Sequence, residues 1–231
     1  ISPALMLCSY LLFELLVGIP TARLFNNLLF LLFGNLIGII GCYLLEYKSR
    51  EHFLVSRLMR VLADHDSLTG LHNRRSFNRQ LERLWRLAQR NELNLALLIC
   101  DIDHFKAYND HYGHQAGDYV LQRVGQLLAQ VGRRPLDMAV RLGGEEFAVL
   151  LYDITPAEAQ QRAESLRAAL EGLQIVHQAS LTAPLVTLSV GVACLQPAPG
   201  GAPTQLYERA DRALYVAKGA GRNQVAMAAA E

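Results

Sequence analysis

The chain is expected to fold as an α+β protein, a mixed central β-sheet flanked by helices and preceded by transmembrane helices. Three observations lead there. Residues Leu28–Leu45 contain no charged side chain, and the stretch is long enough to cross a ~30 Å hydrocarbon core as a helix. Beyond about residue 66, segments of helical periodicity alternate with short apolar runs of strand length. Two of those runs meet at Gly143-Gly144, and a Gly-Gly pair between strands signals a hairpin, so the sheet contains antiparallel pairing. The 231 residues accommodate one ordinary domain of about 150 to 170 residues plus something smaller. The expected division is 1–45 as a transmembrane helical hairpin, 46–65 as a stalk helix and 66–231 as the globular domain.

In the first region, Ile1–Ile19 is a second apolar stretch, interrupted by Glu14 and ending at Pro20. With only Thr21–Asn27 before the next span, the pair reads as a hairpin, Glu14 facing protein or water because an intramembrane carboxylate is costly. The first residue is Ile, and the expectation is of further membrane helices upstream. Lys48, Arg50, Arg57 and Arg60 follow the second span and by the positive-inside rule place everything after it in the cytoplasm. This is the arrangement of a protein of the cytoplasmic (inner) membrane. Cys8, Cys42, Cys100 and Cys194 show neither a close pair nor Cys-x-x-Cys spacing, which gives no support to a disulfide framework or zinc site. A formal net charge of +1 argues against a nucleic-acid partner.

The stalk runs from Glu46 to Asp64, with Leu54, Leu58, Val61 and Leu62 at three- and four-residue spacing. That stripe fits a parallel coiled coil between two subunits or packing on its own domain. Asp64–Ser67 supplies turn chemistry that ends it, and Thr69–Asn73 is the loop beyond. Arg74–Asn91 is an amphipathic helix through Phe77, Leu81, Leu84 and Ala88, with Trp85 as a core or interface residue. Asn94–Cys100 is a continuous apolar run, the mark of a central strand covered on both faces. Helices are expected at Gln115–Val131, Pro156–Leu173 and Thr204–Lys218, the two strands of the hairpin around 138–151, and further strands at Leu185–Cys194 and Gln224–Met227.

The chemistry is concentrated at two places. Arg141–Phe147 reads Arg-Leu-Gly-Gly-Glu-Glu-Phe. Gly143 and Gly144 tolerate positive φ and let a ligand approach the backbone, while Glu145 and Glu146 repel one another unless a proton or cation intervenes. Asp101-Ile102-Asp103 follows the buried strand, where acids are costly as ornament and well placed as ligands at a sheet edge. A bound divalent metal is the natural partner of the glutamate pair.

Several motifs in order resemble the GGDEF family of diguanylate cyclases. They are Asp66–Arg75, Asp101–Lys106, Asn109-Asp110, Tyr112–His114, Gly117-Asp118, Gly143–Phe147, and Ala210–Tyr215 with Lys218 and Gly221–Asn223. The resemblance covers about Asp66–Ala228, and Glu145 stands where the family's name has Asp, keeping the carboxylate. It implies a fold similar to the polymerase palm and the class III nucleotide cyclases. It further implies that two domains in a homodimer, each holding one GTP, form cyclic di-GMP and release two pyrophosphates.

By this resemblance Asp101, the Ile102 carbonyl, Glu145 and Glu146 would hold two Mg²⁺ per GTP site, with Mn²⁺ as a substitute. Glu145 would lie nearest the attacking 3′-hydroxyl. Lys106, Lys218 and Arg222 would face the triphosphate with the backbone amides of His104 and Phe105, and Asn109 and Asp118 would read guanine. Plainer roles exist: Asp118 as a cap of the helix after Gly117, and Lys218 and Arg222 as cations at a helix C-terminus. Arg134-Pro135-Leu136-Asp137 stands where the family carries its product-inhibition site for cyclic di-GMP, with Arg167 as a second contact. A receptor of cyclic di-GMP or GTP without turnover is the alternative, although such domains usually lose an acidic pair that this chain keeps. Another membrane or signalling protein could supply the input, which the sequence does not name.

Overall fold

The computed structural model describes residues 8–10, 12–13, 16–17 and 21–229, with the side chains of 21, 22, 24 and 54–63 left aside. It divides into two compact units, Ile1–Arg60 and Val61–Glu231. Helix α1 (Thr21–Asp64), most of which belongs to the first, runs through 44 residues without a break. The 21–27 segment expected to be a link is therefore helical. Its Phe25–Phe53 portion has a mean hydropathy of 2.3 and is long and apolar enough to cross a membrane, and it is the one such helix among the described residues. The expected first span, with Glu14, falls for the most part outside the described residues, as do the side chains of the Leu54, Leu58, Val61 and Leu62 stripe.

The second unit holds a six-stranded mixed sheet. Its elements are β1 (His72–Asn73), α2 (Arg74–Asn91), β2 (Leu95–Ile102), α3 (Phe105–Tyr112), α4 (His114–Val131), β3 (Met138–Gly143), β4 (Glu146–Tyr152), α5 (Pro156–Gly172), β5 (Leu188–Leu195), α6 (Pro203–Gly219) and β6 (Val225–Met227). The strand order is β1-β3-β4-β2-β5-β6. The three central pairings, β3 with β4, β4 with β2 and β2 with β5, are antiparallel, and the edge pairings are parallel. The expected mixed α+β sheet is thus the one observed.

Strand alternation explains the layers. Along β2, Ala96, Leu98, Cys100 and Ile102 enter a core shared with α4 and α5, whereas Leu95, Leu97 and Ile99 enter a core with Phe77, Leu84 and Trp85 of α2 and Leu206 and Leu214 of α6. Successive side chains point to opposite faces, so a strand covered on both faces has no polar position until it ends. Trp85 is a core residue, 3% exposed. Where α6 crosses β5, Gly191 allows backbone contact: a Cβ there would lie 2.1 Å from the Leu214 nitrogen and 2.2 Å from the Ala210 oxygen.

Several elements depart from the sequence expectation, β1 among them, since the sequence places His72-Asn73 in a loop. Strand β2 extends through Asp101 and Ile102, because β4 and β5 flank it to that point. Helix α3 carries only Phe105 and Tyr108 as buried positions, a single i,i+3 pair in eight residues, too little for periodicity to register. The strand expected from Leu185 begins at Leu188, after a lone bridge between Val176 and Leu185.

Candidate active site

At the C-terminal end of β2, Asp101 stands opposite Glu146 of β4 and Ser189 of β5. The Ile102 amide donates to the Glu145 carbonyl at 3.4 Å, which brings the acidic pair to the strand end. Asp101 points to the α6 side of the sheet and is 8% exposed. From α6, Lys218 Nζ lies 2.8 Å from Asp101 Oδ2. Burial raises the Asp101 carboxyl above the ordinary range, the Lys218 hydrogen bond and charge draw it back down, and Glu145 and Glu146 push it up.

Among the described residues, no three His, Cys, Asp or Glu side chains converge as a ready metal cluster. The donor set nevertheless suits a hard divalent cation: three carboxylates and a backbone carbonyl offer only oxygen. Lys218 supplies the positive charge that the buried Asp101 requires, and both glutamates are near enough to disturb its proton equilibrium.

The turn above this site is tighter than the sequence suggests. Gly143 is the last residue of β3 and pairs with Glu146, after a register shift at Arg141, so the tip is Gly144-Glu145 and not Gly143-Gly144. Gly143 has φ +150° and Gly144 φ +53°, and a Cβ on either would meet nothing within 4 Å. The backbone here is open to a ligand. Arg141 secures the turn: its Nε donates to the Gly144 carbonyl at 3.0 Å, and its Nη1 contacts both Asp66 oxygens at 3.0 and 3.2 Å. Asp66 also accepts from the Thr69 amide and hydroxyl at 2.9 and 2.7 Å. The sequence reading placed Arg141 and Asp66 inside motifs without seeing that they bond to each other. Their separation by 75 residues is bridged by the parallel β1–β3 pairing.

Asp103 is another residue whose role was missed. It is 1% exposed, and its carboxylate accepts from Ser189 Oγ at 2.7 Å, Thr187 Oγ1 at 2.8 Å and the Asn223 amide at 3.0 Å. It ties the turn after β2 to the loop carrying Arg222, which is half-buried with φ +63°. His104 and Phe105 form the entry to α3, and Lys106 is exposed in its first turn. Asn109 Oδ1 is buried without a hydrogen-bond partner. It abuts Gly117, where a Cβ would lie only 1.8 Å from that oxygen. Asp118 is exposed and follows Gly117 within α4. Because α4 begins at His114, Asp118 does not cap it, which corrects that alternative.

The expected product-binding residues are only partly assembled. Arg134 is exposed and donates to the Asp153 carbonyl at 3.4 Å. The Asp137 side chain is 1% exposed and engaged by the Tyr152 amide and Arg162 Nη1, each at 3.2 Å. Arg162, not Arg167, is the second guanidinium at this place. It lines a cleft of about 460 Å³ with Arg133 and Arg134. Arg167 is instead tied to Glu164, Glu171 and Asn223 at 2.7 to 2.8 Å, because it lies more than a helical turn beyond Arg162 on α5.

Acids at a central strand end of an α+β sheet, a glycine turn beside them and Lys218 from the flanking helix lie together within residues 63–224. Residues 63–224 match the family described as diguanylate cyclase, GGDEF domain, and the chain belongs to the GGDEF family. It is 40% identical over 166 residues to the response regulator PleD of Caulobacter vibrioides, covering 71% of this chain and 36% of PleD. It is 38% identical over 173 residues to the probable diguanylate cyclase DgcT of Escherichia coli, covering 75% of this chain and 37% of DgcT. The coiled coil and GGDEF domain of DgcB from Caulobacter crescentus, in complex with c-di-GMP, superposes with TM-score 0.71 at 32% identity, over 82% of this chain and 99% of that one. The active GGEEF domain of a Vibrio cholerae diguanylate cyclase gives 0.62 at 31% identity, over 70% of this chain and 99% of that one. The chain spans about half or less of the curated relatives' length.

Proposed function

We propose that the protein is a membrane-anchored diguanylate cyclase, its GGDEF domain cytoplasmic, that joins two GTP into cyclic di-GMP across a homodimer and releases two pyrophosphates. The observation that carries this is the pairing of Asp101 with Glu146 at the β2 end, with Lys218 on the buried carboxylate and an unobstructed glycine turn above. The GGEEF name of an active Vibrio cholerae domain supports the carboxylate in place of Asp at 145. Phe25–Phe53 supports the anchoring.

In this reading Asp101, Glu145, Glu146 and the Ile102 carbonyl would hold Mg²⁺, which would supply Lewis-acid activation of a 3′-hydroxyl and charge neutralisation at the triphosphate. Glu145 would be the carboxylate nearest the hydroxyl and the acceptor of its proton. Lys106, Lys218, Arg222 and the amides of His104 and Phe105 stabilise the charge developing on the transferred and leaving phosphates. The exposed Asp118 carboxylate accepts from the guanine N1–H and amino group and Asn109 bonds the other edge of the base, a donor pattern that adenine does not offer. Arg134, Asp137 and Arg162 bind the product, the arginines on phosphate and the buried Asp137 fixing Arg162. Each domain holds half of the reaction, so dimer geometry set by α1 controls the rate.

The test is product formation from GTP and Mg²⁺ by the purified chain, with Glu145→Gln and with ATP. Cyclic di-GMP from the native protein and GTP alone is expected. Equal product from Glu145→Gln would sink the assignment, and tight cyclic di-GMP binding without turnover would favour the receptor.

A further inference from the structure

We infer that His177 is a positioning residue for the turn between Asp101 and Lys106, acting through the His104 carbonyl. The inference rests on the cyclase reading for its kinetic consequence and on geometry for the rest. His177 belongs to the segment between α5 and β5 and is 1% exposed. Its amide donates to the Pro184 carbonyl at 2.8 Å and the Val186 amide to the Ile175 carbonyl at 2.8 Å, so a short ladder fixes its backbone. Its Nε2 lies 3.2 Å from the His104 carbonyl oxygen. A carbonyl only accepts, so the ring is the Nε2–H tautomer, consistent with an Nδ1 that has no partner.

His104 needs holding. It has φ +55° and ψ +29°, a left-handed conformation, and makes no side-chain cap to α3; such a conformation persists in a residue with a Cβ where its surroundings enforce it. Two contacts from one segment do so: His177 on the carbonyl, and Thr182 Oγ1 on the His104 ring at 3.1 Å. The same carbonyl accepts the Tyr108 amide at 3.1 Å. The His177 ring also meets Tyr108 edge-on, with centroids 5.1 Å apart, and the Gln178 amide donates to the Tyr112 hydroxyl at 3.1 Å. One segment therefore grips α3 at its entry, middle and end, while Lys106 and Asn109 project from it. Misplacement of about 1 Å in such a turn suffices to lower affinity or rate.

A space-filling histidine would make the same burial but needs no donor, and that difference is testable in the full chain. His177→Leu keeps an apolar body and removes the donor; His177→Gln places an amide N–H near the Nε2 position. His177→Leu is expected to raise KM for GTP about tenfold while kcat changes less than about threefold, as for lost binding geometry. His177→Gln should recover most of that loss, with the two variants melting within a few degrees of each other. Independently of catalysis, the Tyr108 amide should exchange with solvent about tenfold faster in His177→Leu and at the native rate in His177→Gln. Equal KM and exchange in the two variants, or native values in His177→Leu, would overturn the assignment. If the native protein makes no product from GTP, the cyclase reading fails, and the exchange comparison alone decides the role of His177.

Discussion

Gly117→Ala separates recognition of the base from stability. The added Cβ would sit 1.8 Å from Asn109 Oδ1 and 2.9 Å from its Cγ, against a normal contact of about 3.5 Å. The clash falls on the end of a flexible side chain, so the amide moves by roughly 1.5 Å and the helix does not. A hydrogen bond lengthened by that much is lost. On the proposed cyclase reading, losing the Asn109 contact to guanine costs about 1–3 kcal/mol and is expected as a rise of roughly 5- to 150-fold in KM for GTP. Stability moves little, because Ala is favoured over Gly inside a helix by about 1 kcal/mol and a displaced rotamer costs about as much. The melting temperature should stay within about 4 °C. Initial-rate kinetics and thermal melts of Gly117→Ala, Asn109→Ala and the double variant form the assay. The double variant should be no worse than Asn109→Ala alone, since both act on one contact. Additive losses, or an unchanged KM in Gly117→Ala, would refute the reasoning.

Other outcomes follow from the same geometry. Gly191→Ala places its Cβ against α6 backbone, which cannot rotate away; a loss of about 3 kcal/mol and roughly 10 °C in melting temperature is expected by calorimetry. Asp103→Asn turns an acceptor of three hydrogen bonds into a group with an N–H facing donors, and should cost about 3 kcal/mol in chemical denaturation, with the Asn223 amide losing exchange protection. Burial lowers the pKa of His72 and His177 in the folded domain. Their stabilisation is therefore complete above the unfolded value of about 6.5 and is lost as pH falls through the folded values. Melts of the domain at pH 8 and 5.5 should show it, and His177→Gln should reduce the pH dependence.

The layered fold was legible because its signals are local. The run Leu95–Cys100 has no polar residue, as a strand buried on both faces requires, and the Thr155 capping box with Pro156 stands where the helix was expected to begin. Helix α3 was hidden, since only Phe105 and Tyr108 of its residues are buried and its entry depends on His177 and Thr182, more than 70 positions away. The site was legible as motifs and not as connections. Asp101, Glu145 and Glu146 could be named from residue type, but the Asp66–Arg141 pair and the three bonds to Asp103 exist only once β1 meets β3 and β2 meets β5. Arg167 was misplaced for a similar reason: helical phase on α5, which residue spacing alone did not anchor, brings Arg162 to Asp137.

The most direct measurement of the central claim is the ratio of pyrophosphate to cyclic dinucleotide in one incubation of the full chain with GTP and Mg²⁺. The account predicts two pyrophosphates per cyclic di-GMP and a specific rate that rises with protein concentration until dimers saturate. Pyrophosphate without cyclic product, or a specific rate independent of dimerisation, would contradict it.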